Sequence, residues 1–190
     1  FFSLEFNNID ETYLNSLMSK NTELARYKPA FRRMRAMKPF QLSDELERFL
    51  HDQSVVGSSA WNKLFDETMS SLTFTVDKSK LTLEETLNLV SDNKRSTRKK
   101  ASIALMDGLR ANINLFSRIT NTVIKEKLIE DKWRAFPNPQ FSRHLSNDVE
   151  PEVVGALRNA VVEAYPRTSH RYYRLKAKWM GLDKLEIWDR

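Results

Sequence analysis

Few residues in this chain could carry out chemistry, and their spacing limits what that chemistry could be. There are three histidines, His51, His144 and His170, and no cysteine. No two histidines lie three or four apart, and no H-E-x-x-H occurs, so no helical zinc pair can form. Without cysteine there is no thiolate metal site, no cysteine nucleophile and no disulfide framework. His51 follows Phe49-Leu50 near a helix end and reads as a capping or surface residue. His144 lies in Phe141-Ser142-Arg143-His144, and His170 near the start of the last helix; the three are too dispersed to read as one site. The carboxylate pairs Glu45/Glu47, Asp66-Glu67 and Glu84-Glu85 fall at helix starts or on amphipathic faces, where the helix dipole explains them. Ser58, in Gly57-Ser58-Ser59-Ala60, lacks the second glycine of a nucleophile elbow and reads as a helix cap.

Two basic clusters remain: Arg32, Arg33, Arg35 and Lys38, then Lys94, Arg95, Arg98, Lys99 and Lys100. Arg95, Arg98 and Lys99 share one helical face, as a phosphate-binding strip would. No aromatic residues interleave them for base stacking, so the reading is a solvated helix start. Arg171-Tyr172-Tyr173-Arg174 also mixes rings and cations, and its period fits a helix that packs one tyrosine inward. These residues predict no catalytic, cofactor-binding or metal-binding position in the chain.

Composition agrees. Thirty-one Lys+Arg against 25 Asp+Glu leave a net charge of +6, but 29% charged residues of both signs is mostly solubilising surface. An apolar share of 41% can build a core, whereas four glycines among 190 residues exclude a dinucleotide fingerprint or a Walker loop. No stretch approaches the roughly 18 apolar residues of a membrane span. The first residues, Phe1-Phe2, and the last, Ile187-Trp188-Asp189-Arg190, read as the ends of a piece of something longer, and any targeting segment before Phe1 lies outside the chain.

The elements that must position these residues are nearly all helices. Asp10 is placed to cap a helix carrying Tyr13, Leu14, Leu17 and Met18. Residues 24–37 continue as helix with a break or kink near Lys28, before Pro29. Ser43 opens the next helix, and Trp61, Leu64, Phe65 and Met69 mark the buried face of another. The period then changes to two: Leu72-Thr73-Phe74-Thr75-Val76 and Lys80-Leu81-Thr82-Leu83 flank a short polar turn and predict a hairpin that must lean on helices. Thr82 and Glu85 form a capping box for the helix that follows. Asp92 caps a run from about Lys94 to Glu130 that predicts one helix of about 55 Å, with Gly108 marking a bend. Such a rod outreaches a compact 190-residue ball of about 16 Å radius of gyration, so part of its apolar stripe calls for partner surface. Residues 133–147 read as a loop. Pro151 opens a helix with Val154, Leu157, Val161 and Tyr165, and the last helix, Thr168 to Met180, ends at a left-handed Gly181. The fold class is all-α: a multi-helix lobe with one long central helix and a small β-hairpin at about residues 72–83.

Several phrases resemble the oligoendopeptidase F family of zinc metallopeptidases, relatives of thimet oligopeptidase. Ser59-Ala60-Trp61-Asn62-Lys63-Leu64-Phe65-Asp66-Glu67 is similar to that family's segment before its N-terminal hairpin. Phe74-x-Val76 with Leu81-Thr82-Leu83-Glu84-Glu85 resembles the hairpin and the helix after it. Ser91-Asp92-Asn93-Lys94-Arg95 through Arg98-Lys99-Lys100-Ala101 resembles its acidic turn followed by Arg-x-x-Ala. Ser142-Arg143-His144-Leu145 with Val149-Glu150-Pro151-Glu152-Val153-Val154 is similar to the entry of its peptidase domain. Tyr173-Arg174-Leu175-Lys176-Ala177-Lys178, Gly181-Leu182-Asp183-Lys184-Leu185 and Asp189 resemble the segment leading into the catalytic body. The matches run in family order from about residue 38 to 190.

The resemblance implies a helical enzyme whose two lobes enclose a deep channel for short peptides, with zinc held by H-E-x-x-H and a Glu on a following helix. None of those residues is in this chain; in family order they would lie beyond Arg190. The expectation is therefore an N-terminal helical lobe at 1–147 and the first helices of the peptidase domain at 148–190. This piece should form a channel wall, bind no zinc and be inactive alone, with the rest of the peptidase domain as its packing partner. A cytoplasmic location and no membrane or nucleic-acid partner are expected. The alternative is a stand-alone basic helical module that binds nucleic acid or a protein.

Overall fold

Side-chain caps and proline positions set where the helices begin, and the computed structural model, which describes residues 2–189, shows them acting residue by residue. Helix α1 (Phe2–Asn8) precedes α2 (Glu11–Lys20), where the Asp10 carboxylate accepts the Tyr13 N–H at 2.9 Å. Asn21 caps the single turn α3 (Thr22–Ala25) in the same way. The chain leaves helical geometry at Tyr27 (φ −87°, ψ 2°), and α4 (Lys28–Arg35) restarts with Pro29 in its first turn, where a missing N–H costs nothing. After a 3₁₀ turn at Lys38–Phe40, Ser43 caps α5 (Asp44–Gln53), and α6 (Ser58–Ser71) follows.

The hairpin forms where the period changes. Strands β1 (Phe74–Val76) and β2 (Ser79–Leu81) pair antiparallel, with Phe74 opposite Leu81 and Asp77 at φ 55° in the turn. Thr82 then caps α7 (Leu83–Val90), and Glu85 returns its carboxylate to the Thr82 N–H at 2.8 Å, completing the capping box. Helices α8 (Arg95–Ala111), α9 (Ile113–Trp133), α10 (Phe141–Asn147), α11 (Pro151–Ala164) and α12 (Ser169–Trp179) complete the chain. At the end of α12, Leu182 N–H donates to Ala177 O and Gly181 N–H to Lys178 O, with Gly181 at φ +66°, the two bonds of a Schellman motif.

Three local expectations change. The rod predicted from about 94 to 130 divides at Asn112 (φ −108°, ψ 13°) into α8 and α9. The Asn112 side-chain amide donates to the Gly108 carbonyl at 3.0 Å while its backbone N–H donates to the Leu109 carbonyl, which tightens and ends α8. Asp92 does not cap α8 directly; it accepts the Lys94 N–H at 2.7 Å, and Lys94 stands at the cap position without a side-chain bond. The 133–147 loop contains α10, because Phe141 packs on Phe40 and Phe136 with ring centroids 5.0 and 5.7 Å apart.

Packing divides the chain into two units. One comprises Phe1–Gly57 and Ile124–Leu157. Its interior holds Phe6 and Leu14, with Phe6 against Phe31 at 4.9 Å and the Arg35 guanidinium over the Phe6 ring at 5.2 Å. The other comprises Ser58–Val123 and Arg158–Arg190. There Val76, Val90 and Ala101 form a core flanked by Leu81, Leu89 and Ala104, and β1 packs on α7 and α8. A two-stranded ribbon is marginal in water, and burial of Phe74 (1% exposed) among these helices is what holds it.

Candidate functional site

The described residues concentrate charge in two places, one within each unit. In the first unit α9 ends at Trp133, and Arg134 follows it directly. Its guanidinium donates to both Glu47 oxygens at 2.6 and 3.0 Å, to Glu130 at 2.7 Å and to the Phe40 carbonyl at 3.3 Å. Glu47 also accepts the Leu42 N–H at 2.9 Å. The Arg134 hydrogen bonds hold the Glu47 carboxyl below its usual range against the opposing effect of burial, and the same bonds raise Arg134.

In the second unit the carboxylate is Asp189, whose side chain is fully buried. Arg95 donates to it through two nitrogens at 2.7 and 2.9 Å, Arg98 lies 3.8 Å away, and the Glu186 N–H donates at 2.9 Å. The Arg95 hydrogen bonds, again opposed by burial, bring the Asp189 carboxyl down to about 2. Arg98 is itself buried and donates to the carbonyls of Trp188, Asp92 and Asn93 at 2.8 to 3.0 Å. Lys99 covers the Trp188 ring at 5.2 Å, and Lys100 pairs with Asp77 at 2.8 Å.

This corrects the reading of Arg95, Arg98 and Lys99 as a solvated helix start. They clamp the 186–189 segment onto the start of α8, and the partner is 94 residues away from Arg95, outside any local window. Arg32 and Arg35 are likewise engaged, Arg32 with Asp148 at 2.8 Å and Arg35 with the carbonyls of Phe6 and Ile9. The tyrosine reading also changes. Tyr172 and Tyr173 stay 50% and 56% exposed, and α12 buries Ala177 instead.

Neither clamp suits acid–base chemistry. Asp189, held near 2 by the Arg95 hydrogen bonds, and Glu47, lowered by Arg134, are both poor proton acceptors at neutral pH. Glu84 and Glu85 sit in the first turn of α7, where Glu85 completes the capping box. Ser58 is the first residue of α6. His51 lies in the last turn of α5; the His144 carbonyl accepts the Asp148 and Val149 N–H groups; the His170 ring packs near Tyr165 at 5.8 Å. An open concavity of about 480 Å³ in the second unit is bordered by Tyr173, Arg174, Lys184 and Asp189, but Asp189 is already committed to Arg95. Among the described residues no group of three or more His, Asp or Glu side chains could hold a metal ion, and no helix is long and apolar enough to cross a membrane.

Comparison with known proteins supplies what the residues alone do not. Residues 5–74 match the family model described as Oligopeptidase F. All of the chain aligns, at 24% identity, with the group B oligopeptidase PepB of Streptococcus agalactiae, covering 32% of it. It aligns equally, at 24% identity and 32% coverage, with an oligoendopeptidase F homologue of Lactococcus lactis. The crystal structure of oligoendopeptidase-F from Enterococcus faecium shares the fold with a TM-score of 0.82 at 18% identity, over 99% of this chain and 38% of that one. The chain thus spans about a third of the length of the curated relatives it matches. Matched by the family model over residues 5–74 and aligned along its whole length with two oligopeptidases, the chain resembles the N-terminal region of the oligopeptidase F family.

Proposed function

We propose that the chain is the N-terminal part of a zinc-dependent oligoendopeptidase that hydrolyses short peptides, and that it forms one wall of the substrate channel. The observation that carries this reading is the end-to-end alignment with two oligopeptidases, each about three times as long. Residues 1–147 are assigned to the N-terminal helical lobe and 148–190 to the first helices of the peptidase domain, on the resemblance of Ser142–Leu145 and Val149–Val154 to that domain's entry.

In such an enzyme a bound zinc would supply Lewis-acid chemistry and an activated water. The described residues do not fit the metal: no group of three or more His, Asp or Glu could hold it, and the carboxylates of Glu47 and Asp189 are engaged by arginines. The role left to this chain is to exclude folded substrates and shape the path to a site held elsewhere.

Two measurements test this. Elemental analysis of the purified 190-residue chain, together with a quenched-peptide assay, is expected to find no stoichiometric zinc and no turnover. Turnover by the chain alone would overturn the assignment of its role. Reading the encoding gene on the 3′ side of codon 190 is expected to reveal H-E-x-x-H; its absence would overturn membership in a zinc peptidase.

A further inference from the structure

Helix α11 presents an apolar surface that the structure leaves uncovered. None of its fourteen residues is buried, although it carries Val153, Val154, Ala156, Leu157, Ala160, Val161, Val162 and Ala164. Leu157 is 65% exposed, and nothing lies within 4 Å of where a side chain on Gly155 would begin. Isolated exposed hydrophobics need no explanation, but an entire helix of them does.

The arrangement around the helix indicates what covers it. At about 100° per residue, the apolar side chains from Ala156 through Leu157, Val161 and Val154 to Val162 sweep roughly 240° of the circumference. The polar remainder is a narrow strip of Glu152, Asn159 and Glu163, with Arg158 interrupting the apolar arc. A surface helix packed on one neighbour needs an apolar stripe of only about 100°. A second copy of the chain, meeting α11 face to face, would therefore leave more than half of the apolar arc in water. An arc this wide belongs to a helix enclosed on two or three sides, as inside a domain.

We infer that α11 is a core helix of a larger body, enclosed by the polypeptide that the relatives carry beyond the third aligned with this chain. Those relatives share this region end to end and carry about twice its length again, ample to surround one helix. The inference rests on the oligopeptidase reading and deepens it by naming the surface through which this region joins the rest.

Because the chain has no cysteine, single-cysteine probes report burial directly. Leu157→Cys and Val161→Cys are made in the isolated chain and in a fusion that replaces the aligned third of the S. agalactiae oligopeptidase with these 190 residues. The remaining two thirds of that oligopeptidase, produced separately and mixed with the labelled chain, provides a second format. Maleimide labelling is expected to be fast in the isolated chain, and slower by about tenfold or more in the fusion or the mixture. Equal labelling rates in both formats overturn the inference. So does slow labelling of the isolated chain with sedimentation as a dimer, which would make the cover a second copy. Peptide hydrolysis by the fusion is scored separately: protection without hydrolysis counts against the peptidase reading and leaves the interface standing, and hydrolysis without protection does the reverse.

Discussion

Asp189 takes two hydrogen bonds from Arg95 and one from the backbone of Glu186, with the buried Arg98 close behind, so one carboxylate ties the last described turn to the start of α8. Its folded-state pKa, about 2, lies below the usual carboxylate value near 3.9, so the unfolded chain takes up this proton more readily than the folded one. The stability it contributes is fully present above about pH 4 and is lost as the pH falls towards 2. Urea unfolding followed across that range should show this loss, and Asp189→Asn should remove the corresponding part of the pH dependence. An identical slope in the variant would show that Asp189 does not hold the clamp. At this scale the sequence is legible only where partners are neighbours. The caps Asp10, Ser43 and Thr82 can be read because a side chain reaches a backbone N–H three residues on. Arg134–Glu47 and Arg95–Asp189 cannot, since their partners are 87 and 94 residues apart and any of several carboxylates would satisfy a local argument equally well.

Elements follow the same division. The hairpin, the Pro29 restart and the Gly181 terminus are written in short-range chemistry: alternation, a fixed φ and a left-handed residue. The packing of Phe74 against Gly108 is not, because the two come from distant segments of the chain. A Cβ on Gly108 would come within 2.7 Å of two Phe74 ring atoms. Replacing glycine by alanine inside an exposed helix gains about 1 kcal/mol, whereas forcing extra volume into a packed contact costs about 1–3 kcal/mol. Gly108→Ala is accordingly expected to lower the urea midpoint, and Phe74→Leu in the same chain to recover part of the loss. A raised midpoint in the single variant would show that the ring yields freely and that the close approach does not select glycine. Helix α10 escaped a local reading for a related reason: Pro137 and Pro139 announce a loop, while the aromatic contact that stabilises the next seven residues comes from Phe40.

For the molecule as a whole, the excess of positive charge has to be judged after its internal use. Arg35, Arg95, Arg98 and Arg134 all donate within their own units, three of them to backbone carbonyls. A basic interaction module would instead leave its cations free to displace counterions. Titration with single- and double-stranded nucleic acid at two salt concentrations is expected to show no steep salt-dependent binding, and a steep loss with salt would revive that alternative. Composition, periodicity and caps were enough for an all-helical chain with one hairpin and no metal-ligand spacing of its own, because those properties arise between residues a few positions apart. The pairing of Arg95 with Asp189, the seat of Phe74 on Gly108 and the exposure of α11 emerge only when distant segments meet. Each depends on which surfaces the folded chain covers and which it leaves open, and no run of neighbouring residues encodes that.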